Sequence, residues 1–112
     1  MNEEVRYRLL KILSENPELS QRELAEEMGV SLGKVNYCLK ALKERGLVKA
    51  RNFKNNPSKR GYLYILTPQG IEEKARVTSN FLRRKLEEYD RLKGEIEKLR
   101  TEVISASQKK IL

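Results

Sequence analysis

The sequence predicts a mainly α-helical fold that includes one small β-hairpin, an α+β arrangement, and ends in a long C-terminal helix. Three observations carry this. Apolar residues recur at spacings of three and four through the first 45 positions, a short stretch between Leu47 and Leu66 alternates or is rich in aromatic and β-branched residues, and no proline follows Pro68. At 112 residues the chain has room for one small domain and little else.

The elements follow in order. Val5, Leu9, Ile12 and Leu13 share one stripe, with Arg6, Arg8 and Lys11 mostly outside it, which predicts a first helix over Glu3 to Leu13. Asn16-Pro17 stops it, because the residue before proline is pushed out of the helical region. Ser20 stands three residues before Glu23, the spacing of a capping box, and opens a second helix reaching Met28. Gly29 turns the chain, and Ser31, at the end of the three-residue turn, caps a third helix. There Leu32, Val35, Leu39 and Leu42 are expected to face inward, until Gly46 ends the helix. In Leu47 to Phe53, Val48 and Ala50 fall on one side and Lys49 and Arg51 on the other, as in a half-buried strand. Asn55-Asn56-Pro57-Ser58 is a turn, and Tyr62 to Leu66 is the returning strand. Helix, helix, turn, helix, hairpin is the order of a winged helix-turn-helix, expected over residues 1–66. Thr67-Pro68 then starts a helix that keeps its pattern to about Ala106, roughly 39 residues or ~58 Å long, with a frayed tail over 107–112. A helix of that length needs a partner.

The formal charge of +8 is unevenly placed. Ser31 to Tyr64 holds nine Lys or Arg and one acid, Glu44, while the remaining residues hold fifteen of each sign. The surplus is thus confined to one 34-residue stretch, the footprint of a nucleic-acid face. There is no histidine and no glycine-rich phosphate loop, and the one cysteine, Cys38, lies in a core pattern. Neither a histidine acid-base site nor a Cys/His zinc site can be built, so the sequence predicts no enzyme, no metal and no cofactor. No run of about 18 apolar residues and no signal-like N-terminus occur, so a cytoplasmic protein with no membrane partner is expected.

In a helix-turn-helix the second helix of the motif enters the major groove. Here that is Ser31 to Arg45, whose outer face carries Ser31, Gly33, Lys34, Asn36, Tyr37, Lys40 and Lys43. Asparagine can pair bidentately with adenine, lysine reaches guanine or phosphate, tyrosine donates to phosphate, and Gly33 lets the backbone approach closely. Arg51 on the first strand and Lys54, Lys59 and Arg60 at the hairpin tip suit the flanking backbone or a narrow minor groove. Gln21 and Arg22 at the start of the second helix are placed to donate to phosphate.

The run QRELAEEMGVSLGKVNYCLKALKERGLVKARNFKN, followed by YILTPQGIEEKAR, resembles the small MarR-type winged-helix proteins called exopolysaccharide (EPS)-associated transcriptional regulators. Ala25 and Gly29 match the small residue and turn glycine of the motif, and Leu66, Thr67 and Gly70 match the L-T-x-x-G that follows the wing in MarR relatives. The resemblance implies a prokaryotic, double-stranded-DNA-binding transcription factor, nucleoid-associated when bound, with recognition helix 31–43 and wing 54–60. Two features depart from the pattern: asparagines replace the acid near the start of the wing, and one C-terminal helix stands where MarR proteins carry two.

Along the C-terminal helix, Leu82, Tyr89, Ile96 and Val103 fall at heptad position a, and Lys85, Leu92, Leu99 and Ala106 at d. The seam is good from Tyr89 onward, whereas Lys85 interrupts it and Phe81 and Leu86 lie beside it. Glu88, Glu95 and Glu102 occupy g, with Lys93 and Arg100 at e. A parallel pair sets Glu88 against Lys93 and Glu95 against Arg100 of its twin, while an antiparallel pair faces acid with acid, so a parallel homodimer is expected. The competing reading is a winged helix used as a protein-interaction or RNA-binding module. A small-molecule effector stays open.

Overall fold

The computed structural model describes residues 1–52 and 62–111; the hairpin-tip candidates Lys54, Lys59 and Arg60 lie outside them. The element order is α1 (Glu3–Glu15), α2 (Gln21–Met28), α3 (Leu32–Glu44), β1 (Val48–Asn52), β2 (Tyr62–Leu66) and α4 (Pro68–Ile111). Together these make a mainly α-helical winged helix-turn-helix with a long C-terminal helix. One compact unit spans Met1–Ser79 and a second spans Asn80–Leu112, so the first unit reaches beyond the boundary expected at residue 66 and includes the opening turns of α4.

Local chemistry sets the helix ends. The Asn2 side chain accepts from Val5 N at 2.8 Å at the head of α1. At α2 both halves of the capping box form: Ser20 Oγ accepts from Glu23 N, and the Glu23 carboxylate accepts from Ser20 N, each at 3.2 Å. Gly29 ends α2 in the left-handed region (φ 66°), while Gly29 N donates to Glu26 O and Val30 N to Ala25 O. Gly46 does the same after α3 (φ 72°), with Leu47 N donating to Leu42 O and Gly46 N to Lys43 O. Both turns are Schellman closures, which satisfy the last carbonyls of a helix only if the chain takes a positive φ, as glycine does most easily.

The core gathers Leu9, Leu10, Leu13, Leu24, Met28, Val35, Cys38, Leu39, Leu42, Leu47, Val48, Tyr64 and Val77. Burying a leucine or valine side chain contributes about 1.5–3 kcal/mol, so this cluster holds α1, α2, α3, the hairpin and the start of α4 together. β1 and β2 pair antiparallel with Val48 opposite Leu66 and Ala50 opposite Tyr64. That register keeps Val48 and Tyr64 inside and leaves Lys49 and Arg51 exposed.

Three expectations change. Leu32 is 41% exposed rather than inward. It is the first residue of α3, and helical side chains lean toward the N-terminus, so it overhangs the turn instead of the core. Leu10, outside the predicted stripe, is fully buried because α1 packs on both α2 and β2, which widens its apolar face. At the far end α4 runs to Ile111, past the expected stop at Ala106.

A knot of backbone and hydroxyl contacts joins the end of α3 to the start of α4. Thr67 N donates to Leu47 O at 3.0 Å, Thr67 Oγ1 donates to Gly46 O at 2.5 Å, and the same hydroxyl accepts from Gly70 N at 3.0 Å. Gly70 lies against the Leu47 carbonyl so closely that a Cβ there would overlap its oxygen. The L-T-x-x-G run is therefore one interlocked feature: a cap, a cross-strand tether and a glycine that makes room for both. Gly70→Ala is expected to lower unfolding stability by about 2–3 kcal/mol, the scale of overpacking a tight site. Urea unfolding followed by circular dichroism checks this, and wild-type stability in the variant would refute the close-packing account.

Candidate nucleic-acid interface

The helix-turn-helix consists of α2, the turn over Gly29 to Ser31, and α3. Ser31 Oγ accepts from Lys34 N at 3.1 Å, which fixes the first turn of α3 and with it the entry angle of the exposed face. Val35, Cys38, Leu39 and Leu42 bury the other face. Cys38 is 2% exposed and fills the core as a small apolar side chain. Arg8 clamps the motif from behind, its guanidinium donating to the Met28 carbonyl at 3.0 Å near the end of α2.

Outward, Ser31, Gly33, Lys34, Asn36, Tyr37, Lys40 and Lys43 are all exposed. A Cβ at Gly33 would meet nothing within 4 Å, so the surface there is open. Tyr37 is 64% exposed, a large aromatic ring held in water on the basic face. Asn36, Lys40 and Lys43 follow one another along α3 at spacings of four and three, which puts them on one ridge.

That ridge walls a groove of about 260 Å³ between α2, α3 and β2, lined by Gln21, Asn36, Leu39, Lys40, Lys43 and Tyr64. Gln21 reaches across it: its Nε2 donates to the Tyr64 hydroxyl at 3.0 Å. Tyr64 N in turn donates to Pro17 O at 3.2 Å, so β2 is tied to the segment that leads into α2. Gln21 is thus brought together with Asn36, Lys40 and Lys43. Arg22, its neighbour, is exposed and outside the groove lining, and Arg51 stands exposed on the outer face of β1. Tyr64 and Leu39 were legible in sequence only as strand and core residues. The one hint for Tyr64 was a polar-tipped aromatic at an inward strand position, since a buried tyrosine hydroxyl seeks a partner.

The second unit is the stretch of α4 from Asn80 onward, and it carries an exposed apolar series. Leu82, Leu86, Tyr89, Leu92, Ile96, Leu99, Val103 and Ile104 are each at least 40% exposed. Leu82, Tyr89, Leu92, Ile96, Leu99 and Val103 are the predicted seam residues; Leu86 and Ile104 lie beside it. Lys85, the flaw in the seam, lies over the Phe81 ring with Nζ 5.2 Å from its centroid and pairs with Glu88 at 3.2 Å. Among the described residues no helix is long and apolar enough to cross a membrane.

Residues 3–49 match a family model described as winged helix-turn-helix DNA-binding. The fold is a winged helix-turn-helix shared with wild-type MarR of E. coli, at 24% identity and a TM-score of 0.58 over 67% of this chain and 54% of that one. Over 70% of its length the chain superposes on the PcaV transcriptional regulator of Streptomyces coelicolor, covering 54% of that protein at 26% identity and a TM-score of 0.61. It likewise resembles the transcriptional repressor CouR, solved bound to a 23-mer DNA duplex, at 30% identity and a TM-score of 0.55, over 65% of this chain and 50% of the other. By sequence it is 33% identical over 64 residues to the HTH-type transcriptional regulator LrpA of Pyrococcus horikoshii, 57% of this chain and 45% of that one. The chain spans about half the length of the curated relatives it matches. PcaV, CouR and LrpA are transcriptional regulators by name.

Because the Ser31 cap sets the start of α3, Ser31→Ala is expected to cost about 1 kcal/mol of stability. Thermal unfolding of the two proteins side by side measures it, and an unchanged midpoint would show that the cap contributes nothing.

Proposed function

We propose that this chain is a sequence-specific, double-stranded-DNA-binding transcriptional regulator that acts as a parallel homodimer in the cytoplasm. The observation that carries the reading is the exposed face of α3. Lys34, Asn36, Tyr37, Lys40 and Lys43 stand in water with no acid among them before Glu44, on a unit whose charge surplus is confined to Ser31 through Tyr64. Such a face pairs groups that hold phosphate with groups that distinguish base edges.

In this reading α3 enters the major groove. Asn36 and Tyr37 meet base edges, Lys34, Lys40 and Lys43 take phosphate or guanine, and Gly33 with Ser31 brings the backbone close. Gln21, Arg22 and Arg51 hold the flanking backbone, and the wing residues Lys54, Lys59 and Arg60 take the adjacent backbone or minor groove. Residues 80–106 of α4 pair with their twin through Leu82, Tyr89, Leu92, Ile96, Leu99 and Val103. The exposure of that seam supports the pairing, since each leucine or isoleucine moved from water into a coiled-coil contact contributes about 1.5–3 kcal/mol. The charges at e and g then choose orientation, each exposed pair adding only about 0–1 kcal/mol.

Selection from a random duplex pool with purified protein tests DNA binding, specificity and two-fold symmetry together. One enriched, two-fold symmetric motif is expected, with affinity falling steeply as salt rises. Equal affinity for unrelated duplexes, or no binding at low salt, would overturn the regulator reading. On the selected duplex, Asn36→Ala is expected to relax discrimination at one base pair by about 1–3 kcal/mol, while Lys40→Ala weakens all duplexes alike and reduces the salt slope by about one. Identical selectivity profiles for the two variants would refute that division of roles. Ile96→Asp combined with Leu99→Asp is expected to yield monomers by light scattering and to weaken operator binding about 100-fold or more. An intact dimer would defeat the seam assignment.

A further inference from the structure

We propose that the groove between α2, α3 and β2 is a seat for a single DNA backbone phosphate, and that Tyr64 is the positioning residue that holds the Gln21 amide ready for it. This rests on the DNA-binding reading above and adds a residue to it. Three features of the groove point to phosphate. Two lysines, Lys40 and Lys43, line it three residues apart on α3, no carboxylate is among its described lining residues, and the nearly buried Leu39 and Tyr64 complete it beside Asn36. An apolar floor with cationic walls strengthens each charge-assisted hydrogen bond to an oxyanion.

Gln21 supplies the neutral part of the seat. Its Nε2 has two N–H groups, and one is used on the Tyr64 hydroxyl. The second stays available at the groove, with the amide plane fixed by the first. Tyr64 is itself held in place: the residue is only 8% exposed, and its backbone N–H is bonded to Pro17 O. A side chain already held in its bound rotamer loses less entropy on binding than a free glutamine, so the Tyr64 hydroxyl raises affinity without touching DNA. The same pair links the wing strand β2 to α2.

The experiment is a double-mutant cycle with Tyr64→Phe, Gln21→Ala and the combination, measured by fluorescence anisotropy on the selected duplex and on an unrelated one. Tyr64→Phe keeps the buried ring and removes only the hydroxyl. Each single variant is expected to lose affinity about fivefold to tenfold on both duplexes, the combination no more than either alone, with the salt slope unchanged because no charge is removed. Thermal midpoints confirm that all variants are folded at the assay temperature. Wild-type affinity in Tyr64→Phe, or losses that simply multiply in the double variant, would overturn the positioning role. A loss confined to duplexes differing at one base pair would overturn the phosphate seat in favour of base contact. A wild-type protein that binds no duplex would instead remove the DNA reading beneath it.

Discussion

Everything in the winged unit depends on one small junction, where Thr67 uses its hydroxyl twice and its amide once. The hydroxyl donates to Gly46 O and accepts from Gly70 N, and the amide donates to Leu47 O, so one residue caps α4 and ties it to the closure of α3. Leu47 N is at the same time bonded to Leu42 O. The turn that ends α3 and the cap that begins α4 are thus a single hydrogen-bonded object. With α3 fixed there at its C-terminus and by Ser31 at its N-terminus, the exposed ridge of Asn36, Lys40 and Lys43 is held on a rigid element rather than a mobile one. Groups presented this way lose little freedom when they meet a ligand.

The features legible in the sequence were those whose cause is local. Ser20 and Glu23 three apart predicted a reciprocal cap, and both bonds form. Gly29 and Gly46 predicted chain reversals, and both adopt positive φ. The first strand was legible from the alternation of Val48 and Ala50 with Lys49 and Arg51, and the second from its aromatic and β-branched residues, and both form. What could not be read was set by distant neighbours. The Gln21–Tyr64 bond joins residues 43 apart in sequence, and no periodicity encodes it. Leu10 was missed because a single stripe presumes one packing partner, and α1 packs on both α2 and β2. Leu32 satisfied the spacing but stood at the helix edge, where spacing says nothing about whether a core lies opposite. The overlong α4 has the same origin: residues 107–111 lack the seam pattern but hold no glycine or proline to stop a helix.

Among the residues that line the groove, the polar ones were singled out from the sequence and the fold brings them together. Gln21 and Asn36 belong to different helices, and only the tight turn through Gly29 sets them on the same groove. Leu39 shows why the groove exists at all. It belongs to the core, is 2% exposed, and still contributes to the groove floor, so the same residue that packs α3 onto the domain shapes the surface beside Lys40 and Lys43.

In the proposed function the reading of DNA and the pairing of α4 support each other on energetic grounds. A single recognition helix presents three or four side chains to base edges, and each correct base pair contributes only about 1–3 kcal/mol of discrimination, too little to separate one site from the many competitors in a genome. Two such helices held in a fixed relation add their discrimination and convert the second encounter into an intramolecular one. On the proposed reading, a unit of 79 residues that commits α3 and its groove to DNA has less surface to offer a broad dimer contact. A long helix answers that constraint with length instead of area. In the proposed dimer its apolar seam would supply the association energy, while glutamates at g and basic residues at e would supply direction, favouring a like-facing pair over a reversed one. Direction matters because a parallel pair is two-fold symmetric about the coil axis and carries both recognition helices at the same end, as a palindromic site requires.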